Sequence, residues 1–181
     1  MDQFKDNADI NTEYVTRRQH VAQIERAIRV NKERYRALYH HLPYANMPKI
    51  MIIHGVQDVV NKLNWIPPKG GVSPYLSPYS ILTHRRINYY QHCLYTHGKS
   101  VQTAEDELIK NDMKPQSLDC IYLNPIYTRT GGHQLLDLNT GRVIEQKKIW
   151  AVPLTLSMQR RVKALANKDN ITSFKNLFLV S

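Results

Sequence analysis

The sequence predicts an α+β fold in which helices come first and strands follow. Apolar residues recur at helical spacing over 21–42 and again over 47–63. In the second half of the chain, short β-rich runs alternate with glycine-containing turns. With 181 residues, 42% of them hydrophobic, the chain is long enough and apolar enough to bury a core. We expect three segments, namely a helical part at 1–90, a β part at 91–156, and a basic helix with a tail at 157–181.

The first long helix is predicted over 20–42, where proline follows at Pro43. Its apolar stripe has helical steps and comprises Val21, Ile24, Ile28, Tyr35, Leu38 and Leu42. The opposite face is charged, and at the same spacing it carries Glu25, Arg29, Lys32 and Arg36. A carboxylate followed by cations on successive turns can hold a divalent metal beside a phosphate backbone. The same residues also fit a solvated face with a Glu25–Arg29 ion pair, and both interpretations stay open.

Two more helices are predicted before the β part. The second helix covers about 47–63, with Pro48 in its first turn, and its short connection predicts antiparallel packing on the first. A loop rich in proline and glycine follows. Ser77 then precedes a proline, which predicts the N-terminal cap of a short helix. A short strand is also expected near the start of the chain, at 9–15.

The strands follow from local β-rich runs and turn residues. Single strands are predicted over 89–95, 99–103 and 118–127. HQLLDL (133–138) and RVIEQKKI (142–149) flank an Asn-Thr-Gly turn, which predicts a hairpin. The last helix is predicted over 157–167, with Val162 and Leu165 facing the core.

The charge of the chain favours a polyanionic partner. Twenty-five Lys and Arg stand against 15 Asp and Glu, for a net charge of +10. An anionic membrane surface is the other partner that this charge would suit, but no membrane partner is expected. No apolar run approaches the roughly 20 residues that a membrane span needs. The polar, acidic opening MDQFKDNADINTEY does not fit a secretory signal. Cys93 and Cys120 fit a reducing compartment, so we expect the nucleus or the cytoplasm.

Basic residues of the β part are candidates for contact with double-stranded DNA. Cations outnumber acids from Arg142 onward, and Lys147 and Lys148 follow the hairpin turn on one predicted strand. Phosphate contacts raise affinity without reading sequence, so sequence-tolerant binding is expected. A solvated strand and helix face is the equally open alternative.

Three stretches of the sequence, in this order, carry a family resemblance. They are HVAQIERAIRVNKERYRAL, GGVSPYLSPYSILTHRRINYYQHC and LDCIYLNPIYTRTGGHQLLDLNTGRVIEQKKIWAVPLT. Together they resemble the C-terminal part of a Ty1/copia-type retrotransposon integrase. The first is similar to the helix that bears the last acid of the Asp-Asp-Glu triad, the second to the segment that closes the catalytic core, and the third to the small SH3-like domain.

The resemblance implies a fold and a site. The fold is a truncated RNase H-like core of long helices followed by a small SH3-like β-barrel. The resemblance assigns Glu25 as catalytic residue and metal ligand, although the glycine usual before this glutamate is absent and Glu33 is a competing carboxylate. The residues that follow Glu25 are implied as DNA contacts, namely Arg26, Arg29, Lys32 and Arg36.

Catalysis in this family needs more than the chain offers. Members hold two Mg²⁺ or Mn²⁺ ions between three carboxylates, and two of those carboxylates and the zinc module have no counterpart here. The resemblance therefore implies a fragment of a Gag-Pol polyprotein that binds no metal ion by itself and is inactive alone. A second copy of the chain stays open as a partner.

Two rivals remain at this point. One is a non-catalytic DNA- or RNA-binding module or degenerate transposon remnant, for which the charge alone suffices. The other is a protein-interaction piece that folds only within a larger polyprotein. A zinc site at His92, Cys93 and His97 would lack a fourth ligand, since Cys120 has no near partner in the sequence.

Overall fold

A computed structural model describes residues 21–104, 117–126 and 131–169. It contains helices and one antiparallel sheet, which confirms the α+β class. The helices are α1 (Ala22–His41), α2 (Lys49–Trp65), α3 (Pro78–Thr83), α4 (Tyr89–His92) and α5 (Leu156–Lys168). The strands are β1 (Ser100–Ala104), β2 (Ser117–Pro125), β3 (His133–Asp137), β4 (Val143–Gln146) and β5 (Ile149–Ala151). The strand expected at 9–15 lies outside the described residues.

Both long helices form where their apolar stripes predict them, but α1 is packed along only part of its length. Tyr35 is 1% exposed, and Leu38 and Leu42 pack against the main core. Ile24 and Ile28, in the first and second turns of the helix, are 58% and 47% exposed. The stripe therefore anchors the C-terminal half of α1 against α2. Within the described ranges, neither these helices nor the shorter ones have the length and apolar character needed to cross a membrane.

The short helix α3 begins as predicted, since the Ser77 hydroxyl accepts a hydrogen bond from the Ser80 backbone N–H. The strand predicted over 89–95 is wrong, because its first residues form α4. The Cys93 N–H donates to the Tyr89 carbonyl at 2.9 Å, a local bond that a strand would not make. A tyrosine favours a strand only where a half-buried sheet surface receives its ring, and Tyr90 is 93% exposed.

The sheet has the order β4-β3-β2-β1-β5, with every pair antiparallel. The stretch 142–149 is therefore not one strand: β4 and β5 lie at opposite edges and are joined by Lys147 and Lys148 alone. Three Cα steps span at most about 11 Å. Five strands of a flat sheet would put the edges about 19 Å apart. The sheet must therefore curl, but it is not closed into the predicted β-barrel, since no described ladder joins β4 to β5.

The two faces of the sheet bury different clusters. Ile144 of β4 and Ile149 of β5 pack against one cluster with Val101, Cys120 and Tyr122, which makes this face the concave one. The convex face packs against the helices. Their shared core draws on all three predicted segments, and includes Tyr35, Met51, Ile121, Leu136, Met158 and Val162.

The last helix fastens the β3–β4 hairpin. Thr155 caps α5, and Val162 and Leu165 are buried as predicted. The Arg161 guanidinium donates to the carbonyls of Leu138 and Asn139, each at 2.6 Å. These bonds explain how a basic helix and a hairpin turn that are distant in sequence lie together.

Candidate nucleic-acid interface

All five functional residues predicted on α1 are exposed: Glu25, Arg26, Arg29, Lys32 and Arg36. A shallow cavity of about 300 Å³ brings four of them together with Glu33 and leaves Arg26 out. Glu33, the competing carboxylate, therefore shares one surface with Glu25. This surface, the α1 face, has the cations that a phosphate backbone requires.

The described residues do not complete a metal site around Glu25. Within them, no group of three or more His, Cys, Asp or Glu side chains could hold a metal ion. Other carboxylates are engaged in the fold: Asp58 accepts from Lys62 Nζ at 2.6 Å, and Asp119 accepts from Gln102 at 2.8 Å. Asp137 holds the hairpin turn by accepting from the backbone and the hydroxyl of Thr140.

The basic residues of the sheet are divided between its two ends. Arg142 follows the hairpin turn just before β4, whereas Lys147 and Lys148 form the link just after it. Lys147 comes five positions after Arg142, which corresponds to about 17 Å along an extended chain. All three side chains are exposed. The Lys148 carbonyl accepts a hydrogen bond from the Thr103 hydroxyl at 3.0 Å, which fixes the backbone of the link.

Three aromatic residues near the basic residues of the β part, Tyr122, Tyr127 and Trp150, are candidates for stacking on bases. Tyr122 is 1% exposed and belongs to the concave core. Tyr127 lies outside the described residues. Trp150 is 44% exposed, and its Nε1 donates to Gln102 at 3.3 Å. Of these three residues, Trp150 is the one accessible on the described sheet, two residues after Lys148.

Sequence reasoning missed a second cavity, of about 290 Å³, after the end of α2. Trp65, Tyr75 and Tyr89 line it together with Arg86. The Tyr89 hydroxyl donates to the Trp65 carbonyl at 2.9 Å and so orients the ring. One signal was available: the sequence has no acidic residue between Asp58 and Glu105, although tyrosine and arginine recur there.

A buried polar cluster between α2 and the sheet was also missed. His97 is 1% exposed, and its Nδ1 lies 2.9 Å from the Leu123 carbonyl. Burial lowers the pKa of His97, so the ring is neutral, with its proton on Nδ1 facing that carbonyl. Its Nε2 has no hydrogen-bond partner within the described part of the chain. Asn124 lies 3.2 Å from His54 Nδ1 in the same region.

The surroundings of the two cysteines and of His97 do not favour zinc binding. Cys93 is exposed, and Cys120 is fully buried, with burial raising the pKa of its thiol to about 12. A thiol that resists ionisation is a poor zinc ligand. His97 directs one ring nitrogen at a backbone carbonyl.

Comparison of the chain with protein-family models, with curated proteins and with solved structures found no match. Membership of a family therefore stays a prediction from the three sequence stretches.

Proposed function

We propose that this chain is the C-terminal part of a Ty1/copia-type retrotransposon integrase, and that it binds duplex DNA without regard to sequence. The observation that carries this proposal is the strand order. β5 follows β4 after two residues, yet pairs with β1 at the other edge of the sheet. A five-stranded antiparallel sheet that curls, although it stays open within the described residues, supports an SH3-like domain, and two long helices precede it.

The charged surfaces support DNA binding. The α1 face gathers Arg29, Lys32 and Arg36, and the β4–β5 link exposes Lys147 and Lys148. Both surfaces offer exposed cations, which favours contact with phosphates. Duplex affinity should therefore fall steeply with salt concentration.

The binding experiment compares two double variants, Arg29→Ala/Lys32→Ala and Lys147→Ala/Lys148→Ala, on two unrelated duplexes at several salt concentrations. Each lost phosphate contact should lower affinity evenly for both duplexes and reduce the salt slope by roughly one unit. The variant Lys49→Ala/Lys163→Ala removes the same charge from exposed positions elsewhere on the helices and serves as control. If the control flattens the slope equally, net charge alone explains binding. A strong preference for one duplex would contradict the proposal.

We further propose that the chain alone does not transfer strands. A two-metal mechanism needs carboxylates on both ions, and the α1 face supplies Glu25 and Glu33 only. Glu25 would act in catalysis only with carboxylates from the rest of the polyprotein. The assay measures strand transfer on a labelled duplex with Mg²⁺ or Mn²⁺. Strand-transfer activity of the parent chain that is lost in the Glu25→Gln variant would refute the proposal that the chain alone is inactive.

A second candidate function is a non-catalytic nucleic-acid-binding module derived from a transposon. The engagement of Asp58, Asp119 and Asp137 in the fold favours it, since these carboxylates serve structure. The coding frame ahead of Met1 distinguishes the two. Two further aspartates and a His/Cys module in frame support the enzyme, and a stop codon supports the module.

A further inference from the structure

Residues 66–94, here called the aromatic segment, leave large apolar side chains in solvent. Tyr75 is 89% exposed and Tyr90 93%. The other large exposed side chains of the segment are Ile66, Val72, Leu76, Ile81, Leu82, Tyr89 and Leu94. Folded domains keep such exposure small unless the surface binds something.

The charge of the aromatic segment indicates what it binds. The sequence between Asp58 and Glu105 contains no acidic residue, while Lys69, Arg85 and Arg86 lie within the segment. Exposed rings beside cations are complementary to nucleic acid, which presents flat bases and phosphates. An uncharged peptide would use the rings but not the cations.

The second cavity has both aromatic and polar lining residues. Trp65, Tyr75 and Tyr89 line it together with Arg86, and the rest of its apolar lining is Pro67, Leu76 and Ile87. Ser77 and Ser80, whose hydroxyl oxygens lie 3.0 Å apart, add polar groups. Aromatic walls with a few polar groups are typical of ligand pockets, and about 290 Å³ is at their small end.

The backbone around the cavity is fixed before any ligand arrives. The N–H groups of Tyr75 and Leu76 donate to the Ser73 hydroxyl at 3.2 and 3.1 Å. Tyr89 is held through its bond to the Trp65 carbonyl. Tyr75 therefore presents its ring on an ordered turn, which lowers the entropic cost of stacking.

We propose that this cavity binds one unstacked base of a single-stranded nucleic acid, and that Arg86 contacts an adjoining phosphate. Bases of a duplex are stacked on their neighbours and cannot enter, whereas a single strand can turn a base onto an aromatic ring. This site is separate from the α1 face and the lysine link, and it does not depend on duplex binding there.

The first test titrates the full chain with labelled oligothymidine DNA and oligouridine RNA, which form no duplex, and with a mixed-sequence duplex. Tyr75→Ala should weaken both single strands about 10-fold, as expected for one lost stacked base. Tyr75→Phe keeps the ring and should bind as the parent chain does. Tyr90→Ala removes an equally exposed ring that does not line the cavity, and should also have no effect. Duplex affinity should stay unchanged in all three variants.

The second test compares two neighbouring cations. Arg86→Ala should weaken single-strand binding and reduce its salt slope by about one unit, while Arg85→Ala, which removes the same charge outside the cavity, should do less. Circular dichroism confirms folding of each variant. Equal effects of Tyr75→Ala and Tyr90→Ala, or of the two arginine variants, would overturn the proposal. The proposal would also be overturned if neither single strand binds and a proline-rich peptide binds in a way that depends on Tyr75.

Discussion

Leu136 in β3 is fully buried, whereas Leu82 in α3 is 81% exposed. The two leucines represent two regions that use apolar residues in opposite ways. The curled sheet and the helices against its convex face exclude water from both of their clusters. The aromatic segment has ordered caps and turns but directs its large side chains outward. Burial stabilises the first region, and local hydrogen bonds shape the second.

This difference separates folding from binding within one chain. Apolar residues of the sheet lower the free energy of the folded state, so their loss should destabilise the protein. Side chains that stay in solvent contribute little to that free energy and remain available to a ligand. Changes in the two regions should therefore have separable effects on unfolding and on affinity.

The same substitution in the two regions gives the largest expected contrast. Leu136→Ala should reduce the free energy of unfolding by about 2–5 kcal/mol, because it leaves a cavity in the core. Leu82→Ala should change it by no more than about 0.5 kcal/mol. Urea denaturation followed by circular dichroism measures both. A large decrease in the free energy of unfolding for Leu82→Ala would mean that α3 is packed in solution, and would contradict the difference between the two regions.

Gly55→Ala tests how closely Tyr35 of α1 and the side chain of His97 approach α2 at Gly55. A Cβ at Gly55 would lie 2.7 Å from Tyr35 Cε2 and 3.1 Å from His97 Nε2. We expect destabilisation of about 1–3 kcal/mol from overpacking, despite the better helix propensity of alanine. The control Gln57→Ala, two residues along on the exposed side of α2, should be neutral. A Gly55→Ala variant as stable as its parent would show that this contact is loose.

The pH dependence of stability should come from the packed region. Burial lowers the pKa of His97, and also those of His54 and His133. The unfolded state, with histidine pKa values near 6.5, then takes up protons before the folded state does. Stability should be level above about pH 7 and fall below about pH 6.5, by up to about 1.4 kcal/mol per pH unit for each such histidine.

Thermal unfolding between about pH 5 and 8 measures this dependence, which lies in the range where histidines titrate. His97→Gln should weaken the fall on acidification even though it lowers stability at neutral pH. A chain that becomes more stable as pH drops from neutral would contradict a neutral, buried His97.

A substitution at His84, in the aromatic segment, should have a small effect on the free energy of unfolding. It ends α3 with φ at 54°, in the left-handed region, which costs energy for a residue with a side chain. His84→Gly should therefore raise the free energy of unfolding by about 0.5–1 kcal/mol. Thr83→Gly, one residue earlier within the helix, should lower it instead. If both variants destabilise, the His84 side chain contributes contacts that outweigh its backbone strain.

Elements with local signals could be predicted from the sequence. The apolar stripe of α1, the serine cap of α3 and the Asn-Thr-Gly turn each act over a few residues. The break between β4 and β5 at Lys147 and Lys148 could not be predicted in this way. β5 forms because it pairs with β1, and the paired residues Val101 and Ala151 are 50 positions apart in the sequence. The exposure of Ile24 likewise depends on where α2 ends its contact with α1.

The candidate site likewise has one part that the sequence could predict and one part that it could not. The spacing of Glu25, Arg29 and Lys32 on one helix face follows from periodicity, and the structure groups them as expected. The second cavity joins Trp65, Tyr75 and Tyr89, which loops and the short helix α3 separate along the chain, and no helical or strand period predicts that. The absence of acidic residues between Asp58 and Glu105 was visible in the sequence, but it is a feature of composition that does not show which residues meet in space.

The pairing of β5 with β1 also has a consequence during synthesis. Val101 leaves the ribosome well before Ala151, so β1 can pair with β2 while its other side still presents unsatisfied backbone groups. An uncovered edge of this kind is a template for strands of other chains. Release of a nascent chain before Ile149 would leave that edge open permanently, so premature termination there should yield aggregates, whereas β5 shields the edge in the finished protein.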